Sequence, residues 1–143
     1  GCLLGAGMFL YLLLQYQTMP STIPVHWGIS GVPDRWGSKS SVFWMFLLGI
    51  ILYIGMEVLC GFPSIWNMTG NLTEGNWRHI YTTMRSMLEL TNVILLAMFC
   101  YLSLPTIFPW LPVSWPIVLF LSAYTLLFVL GMLKIYKIGK KRN

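Results

Sequence analysis

Four stretches of this chain are almost wholly apolar, and its polar residues gather between them. The apolar runs are 1–16, 42–62, about 84–104, and 115–133. Hydrocarbon about 30 Å thick needs about 20 helical residues at about 1.5 Å each. The last three runs meet that length and the first is shorter. The chain opens on Gly1 rather than Met, and the first run is read as having lost residues ahead of it. A cleaved signal peptide is disfavoured, because no basic stretch is visible and no A-x-A site follows. The expected fold is all-α: a polytopic four-helix transmembrane bundle with an ordered extracytoplasmic loop between helices 1 and 2. Residues 1–133 form one transmembrane domain, and 134–143 form a basic cytoplasmic tail.

Helix ends carry their own signals. Thr73 is placed to cap a third helix over about 74–104, with Glu74 favourable at its positive end. Ser114 is placed to cap the fourth, with Pro116 in its first turn, where a missing N–H does no harm.

Composition reinforces the membrane reading. Hydrophobic residues make up 57% of the 143 and charged residues 9%, against about 25% charged in an ordinary soluble domain. The net charge of +5 does not point to nucleic acid, because Lys134, Lys137, Lys140, Lys141 and Arg142 crowd directly behind an apolar run. Direct nucleic-acid binding would want a basic face with exposed aromatics. Basic residues flanking a span mark its cytoplasmic side, so the C-terminus is read as cytoplasmic and the 17–41 and 105–114 loops as outside. Trp27, Trp36, Trp44, Trp110 and Trp115 then fall near the outer edge, and Trp66 and Trp77 near the inner one. Indole favours that depth. The sequons at 67–69 and 71–73 would be cytoplasmic and are read as chance. Cys2, Cys60 and Cys100 lie within apolar runs without metal-ligand spacing, and are read as buried small apolar residues.

Charges within spans cost about 2.5–3.5 kcal/mol each on insertion scales. Glu57 and Glu89 fall at similar depth, and Arg78, Arg85, Glu89 and Asn92 share one face of the third helix. Glu57, Arg85, Glu89 and Asn92 are therefore expected to cluster towards the bundle interior. One reading is a structural clamp. The other is an ion or proton relay, or a docking point for a cytosolic partner. A stand-alone transporter is disfavoured, since such sites lie near the midplane. Gly1 and Gly5 form a small-xxx-small pair suited to helix contact.

The loop PSTIPVHWGISGVPDRWGSK, residues 20–39, is built to hold a shape. Pro20, Pro24 and Pro33 fix φ, and Gly28, Gly31 and Gly37 permit turns. Ile23, Val25, Trp27 and Trp36 are too apolar for a freely solvated loop, so the loop should fold onto the bundle or the headgroups. His26 and Asp34 sit on opposite sides of a glycine turn, close enough in sequence to approach each other. Lys39 is expected to snorkel towards the outer headgroups. Pro24, Gly31 and Pro33 are read as shape-holders, Trp27 and Trp36 as anchors, and His26, Asp34 and Lys39 as polar contacts.

MPSTIPVHWGISGVPDRWGSK, residues 19–39, is similar to the signature of a bacterial membrane domain of unknown function. That domain also forms the N-terminal part of sporulation-delaying-toxin immunity proteins. NMTGNLTEGNWRHIYTTMRSML, residues 67–88, resembles the segment that follows the second span in that family, with Tyr81 and Arg85 at comparable spacing. The resemblance covers about residues 1–100. Gly28 departs from the Asn or similar polar residue usual in the family, and the longer immunity proteins carry a further C-terminal membrane domain. The resemblance implies a protein of the bacterial plasma membrane that protects against a secreted peptide toxin at its outer face. In better-known members sensing is coupled to a cytosolic regulator, a transcriptional repressor held at the membrane.

The leading expectation is thus a non-enzymatic immunity or sensing protein with no cofactor, whose partners are the lipid bilayer, a peptide toxin and a cytosolic regulator. Self-association into a homo-oligomer is compatible with it. The alternatives are an accessory or structural subunit of a membrane complex or transporter and, less favoured, an intramembrane metal-dependent enzyme. His26 and Asp34 supply two ligands where catalytic zinc takes three.

Overall fold

The computed structural model describes residues 1–66 and 72–140. Both sequons reach into 67–71, and Lys141 and Arg142 lie past residue 140, so these fall outside the described residues.

Four helices carry the chain: α1 Cys2–Tyr16, α2 Val42–Cys60, α3 Trp77–Ser103 and α4 Ser114–Lys140. The loop expected between α1 and α2 is a β-hairpin, with β1 Thr22–Trp27 and β2 Pro33–Ser38 paired antiparallel. The all-α expectation is corrected by this small sheet; the molecule is otherwise mostly helical. Pro24 lies in a strand because a two-stranded ribbon leaves every strand with a free edge, where a missing N–H costs no ladder bond.

Three helical stretches are long and apolar enough to cross a membrane: Lys39–Cys60, Trp77–Ser103 and Ser114–Lys140. The first of these includes a short 3-10 turn, Lys39–Ser41, ahead of α2. The 15 residues of α1 reach only about 22 Å at about 1.5 Å each, short of the hydrocarbon thickness. The third helix begins at Trp77 rather than near Thr73. Residues 74–76 form a turn instead, in which the side chain of Asn76 accepts the N–H of Thr73 at 2.8 Å. Ser114 is the first residue of α4, and its hydroxyl reaches the hairpin rather than capping the helix. Lys134, Lys137 and Lys140 continue α4 and do not form a separate tail.

In the bundle, α3 is central, packed on α2 along one side and on α4 along the other, while α1 lies across α2 and α3. The α2–α3 approach is close at Gly49, where a methyl group would overlap the Cβ of Phe99. Tyr101 faces Phe120 across α3–α4, with ring centroids 6.2 Å apart. Phe9 stacks on Phe46 at 6.0 Å, and Tyr16 meets Phe43 at 5.3 Å, fixing α1 on α2. Gly1, just ahead of α1, and Gly5 within it face Tyr53 and Ile50 of α2 within the chain.

The buried core sits at the hairpin end: Leu12, Met19, Ile23, Val42, Phe46, Leu96 and Cys100. Nearby, Tyr101 donates to the Pro112 carbonyl at 2.6 Å and Thr106 to the Ser103 carbonyl at 2.6 Å, bracing the α3–α4 turn. At the opposite, tail end, Trp66 stacks on Tyr81 at 5.3 Å and donates its indole N–H to the Leu59 carbonyl at 2.9 Å.

Candidate functional site

The hairpin is rooted by its first strand. Ile23 and Pro24 are buried, and Val25 packs partly against the core shared by α1, α2 and α3. Ladder pairs run from Thr22–Ser38 through Ile23–Gly37 and Pro24–Trp36 to Trp27–Pro33. Between these ends the register shifts twice. Val25 is the extra residue on β1 and Asp34 the extra one on β2, so the two irregularities cancel. Bulges re-aim side chains, and this pair flanks His26.

His26 Nδ1 lies 2.5 Å from Asp34 Oδ1, so the ring N–H donates and the carboxylate accepts. Both side chains keep about half their surface open, 56% and 52%. The turn 28–32 is closed by Gly28 N–H to the Val32 carbonyl at 3.0 Å and Gly31 N–H to the Gly28 carbonyl at 2.9 Å. Gly31 has φ +77°, the one positive value among the described residues, in the region that disfavours a Cβ. The tip is tied down where the Ser114 hydroxyl donates to the Ile29 carbonyl at 3.4 Å.

Lys39 turns inward rather than out to headgroups. Its ammonium donates to the Tyr16 carbonyl at 3.2 Å and lies 4.5 Å from the centroid of the Tyr16 ring. A cation at the C-terminus of α1 is favourable, so Lys39 couples the α1 end to the start of α2. What remains open is a mixed surface: Ile29, Val32 and Trp36 are exposed beside His26, Asp34 and Arg35, while Trp27 and Pro33 are half-buried. The apolar tip residues Ile29 and Val32 were not expected to matter. Their signal was two large aliphatic side chains in a five-residue glycine turn, where polar residues are the norm.

The polar residues within the spans are brought together in two separate pairs. The amide of buried Asn92 donates to the Tyr53 carbonyl and to Glu57 Oε1, each at 3.1 Å, joining α3 to α2. Its Oδ1 is buried without a hydrogen-bond partner. Arg85 Nε donates to Glu89 Oε1 at 2.7 Å along α3, with 54% and 48% of those side chains exposed. No bond joins Glu57 to Arg85 among those described, and Glu57 is itself exposed, so the three charges do not turn into the bundle interior. They share one region all the same, since each lies within electrostatic range of buried Cys60. Among the described residues, no three His, Cys, Asp or Glu side chains converge as a metal site would require.

A family described as a domain of unknown function, DUF1648, matches residues 3–50. That is about a third of the chain, from α1 through the hairpin into α2. It takes in His26, Asp34 and Lys39 and leaves out Glu57, Arg85, Glu89 and Asn92. An uncharacterized protein of Archaeoglobus fulgidus is 46% identical over 37 residues, covering 26% of this chain and 20% of that protein. The chain thus spans about a fifth of that relative's length. No solved structure matches.

Proposed function

We propose that this chain is a non-enzymatic, multi-pass protein of the bacterial plasma membrane, of toxin-immunity or sensing type. The hairpin faces the extracytoplasmic side and is the recognition element, and the basic end of α4 faces the cytoplasm. The observation that carries the reading is a hairpin whose root is buried in the helix core while its outer surface stays open. A loop serving only as a connector needs no such root. A surface that pairs exposed Ile29, Val32 and Trp36 with the His26–Asp34 pair suits an amphipathic peptide. The orientation is supported by Lys134, Lys137 and Lys140, which lie at the end of the bundle away from the hairpin. The link to toxin immunity is supported by the resemblance of residues 19–39 to the signature found in sporulation-delaying-toxin immunity proteins. A cytosolic regulator would meet the tail end, where Arg78 and the α4 lysines lie.

The test is protection. Cells expressing the chain should survive a secreted, membrane-active peptide that kills cells lacking it. Replacing Ile29 and Val32 together by Ser should abolish survival without lowering membrane abundance. Equal killing with and without the chain, across a panel of such peptides, overturns the reading. A reporter fused after residue 143 should be active only as a cytoplasmic form; activity of an extracytoplasmic reporter there would invert the topology.

The accessory-subunit reading is favoured by a different observation: charged side chains stand exposed on helices apolar enough to lie in hydrocarbon.

A further inference from the structure

The hairpin is tied to the bundle at both of its ends. At the root, the Lys39 N–H donates to the Ser21 carbonyl at 3.0 Å, where the candidate span containing α2 begins. At the tip, the Ser114 hydroxyl reaches the Ile29 carbonyl, where the span of α4 begins. Gly31 permits that second contact, since a methyl group there would stand only 3.0 Å from Ser114 Oγ. Both α2 and α4 pack on α3, so their axes lie up to about 20 Å apart, at about 8–10 Å per helix pair. Strands of six residues cover about 20 Å. The hairpin therefore lies along the membrane plane, across the end of the bundle.

Its depth follows from α4. The stretch from Ser114 up to Lys134, the first charged residue of that helix, is about 30 Å long at about 1.5 Å per residue, which matches the hydrocarbon. Lys134 then stands at one boundary and Ser114 at the other. Indoles gather at the Ser114 level. Trp115 beside it, Trp44 in the first turn of α2 and Trp110 in the turn before α4 are all well exposed, at the depth where Trp is favoured. Ile29 is fully exposed and Val32 largely so, on a turn held at this same level. In water they would be two bare aliphatic side chains where polar residues are the norm; the bilayer surface takes them out of water.

We propose that the bilayer itself covers the hairpin tip: Ile29 and Val32 insert into the interfacial layer of the leaflet at the hairpin end, at the level of Trp115. The tie to Ser114 sets how deep the tip reaches, and the buried root at Ile23 and Pro24 holds the ribbon in place. The inference rests on the level of the spans and stands whether or not the hairpin recognises a peptide. Joined to the recognition reading, it means that a peptide is met after it has adsorbed to the membrane, not from bulk water.

The test uses the 143-residue chain in phosphatidylcholine–phosphatidylglycerol nanodiscs, with both faces open to solvent and no toxic peptide present. An environment-sensitive dye is attached at Ile29→Cys or Val32→Cys in a Cys2→Ser background, Cys60 and Cys100 being buried. The same dye at Glu74→Cys, exposed and outside the candidate spans, controls for its own attraction to lipid. At 29 and 32 the emission should shift to the blue. Lipid carrying a nitroxide near the glycerol end of its chain should remove most of that emission and aqueous iodide little of it, the reverse of the order at 74. Iodide quenching at 29 and 32 equal to that at 74 overturns the proposal. So does shielding from iodide and nitroxide alike, which would assign the tip to a second copy of this chain. Because survival does not enter the measurement, the recognition reading can fail while this one holds, and the reverse.

Discussion

At the hairpin end, His26 and Asp34 bond across two strands with about half of each side chain open. Towards the tail end, Arg85 and Glu89 bond along one helix with nearly the same exposure. Geometrically the two pairs are close equivalents. Their surroundings are not: the first stands outside the candidate spans, the second on a stretch of α3 apolar enough to lie in hydrocarbon. A pair open to water is screened and contributes little to stability. The same pair facing lipid is a cost that some neighbour must offset. Exposure of one value is therefore ordinary in one place and costly in the other. The contrast extends to the supports. The hairpin pair rests on a buried apolar root, whereas the span pair lies next to a buried amide, Asn92, with one oxygen left unpartnered.

The largest expected effect separates the hairpin's root from its tip. Ile23 is almost fully buried, and Ile29 is fully exposed. Ile23→Ala should cost about 2–5 kcal/mol, the range for truncating a buried aliphatic side chain. Ile29→Ala should leave the unfolding midpoint in detergent unchanged. Equal effects of the two would mean that the hairpin is not rooted in the core, and its resemblance to a recognition element would fail with it.

Next comes the scaffold common to both regions. Gly49 lets α2 approach α3, and a methyl group there meets the Cβ of Phe99, an atom close to the backbone that cannot swing aside. Gly49→Ala should cost about 1–3 kcal/mol by overpacking. Since the α2–α3 seam carries both the hairpin root and Asn92, the variant should weaken both ends together. A loss confined to one end, read by hydrogen exchange of hairpin and tail-side amides, would show the two regions to be independent.

Much of this was legible in the sequence, and the exceptions have physical causes. Four apolar runs announced four helices because hydrocarbon demands length and lack of charge, and both are visible residue by residue. The hairpin strands were not seen, although TIPVHW and PDRWGS flank a glycine turn as a hairpin requires. Three prolines and one exposed face hid the alternation that marks a strand. The start of α3 slipped from Thr73 to Trp77, because Thr73 and Asn76 are both good capping types. The choice between them is made by the turn that the Asn76 side chain closes. The approach of His26 to Asp34 could be anticipated from their spacing about a glycine turn. The separation of Glu57 from Arg85 could not. Helical periodicity gives the face of each helix, but not the rotation of α2 against α3.

A smaller effect is expected at Asn92, which links α3 to α2. Asn92→Leu removes two donated bonds across α2 and α3 and also the unpartnered Oδ1. Interhelical hydrogen bonds in lipid average about 0.6 kcal/mol and reach about 1.7. Removal of the orphaned oxygen works against that loss. The net change should therefore be at most about 1 kcal/mol, while Asn92→Asp, which adds an acid beside Glu57, should destabilise by more. Thermal unfolding of the two variants in one detergent decides the order. If Asn92→Leu were the worse, the amide would be a stronger clamp than its half-satisfied geometry implies.

The smallest stability effect is expected at the hairpin pair, and it also bears most directly on recognition. His26 and Asp34 are half-exposed, so their contact should contribute no more than about 1 kcal/mol. His26→Ala, Asp34→Ala and the double variant form a cycle that isolates it. If the pair only holds the hairpin together, all three variants should loosen the 28–32 turn equally. Amide exchange at Gly28 and Gly31, whose N–H groups close that turn, would rise, and protection would fall only as far as the hairpin loosens. If the pair meets a ligand, exchange should stay unchanged while protection is lost. His26→Gln then makes the distinction sharper, because its amide can still donate to Asp34 but presents no imidazole. Survival of His26→Gln cells with an ordered turn assigns the pair to the scaffold and leaves Ile29, Val32 and Trp36 as the contact surface. Loss of survival with an ordered turn places the imidazole itself in the contact.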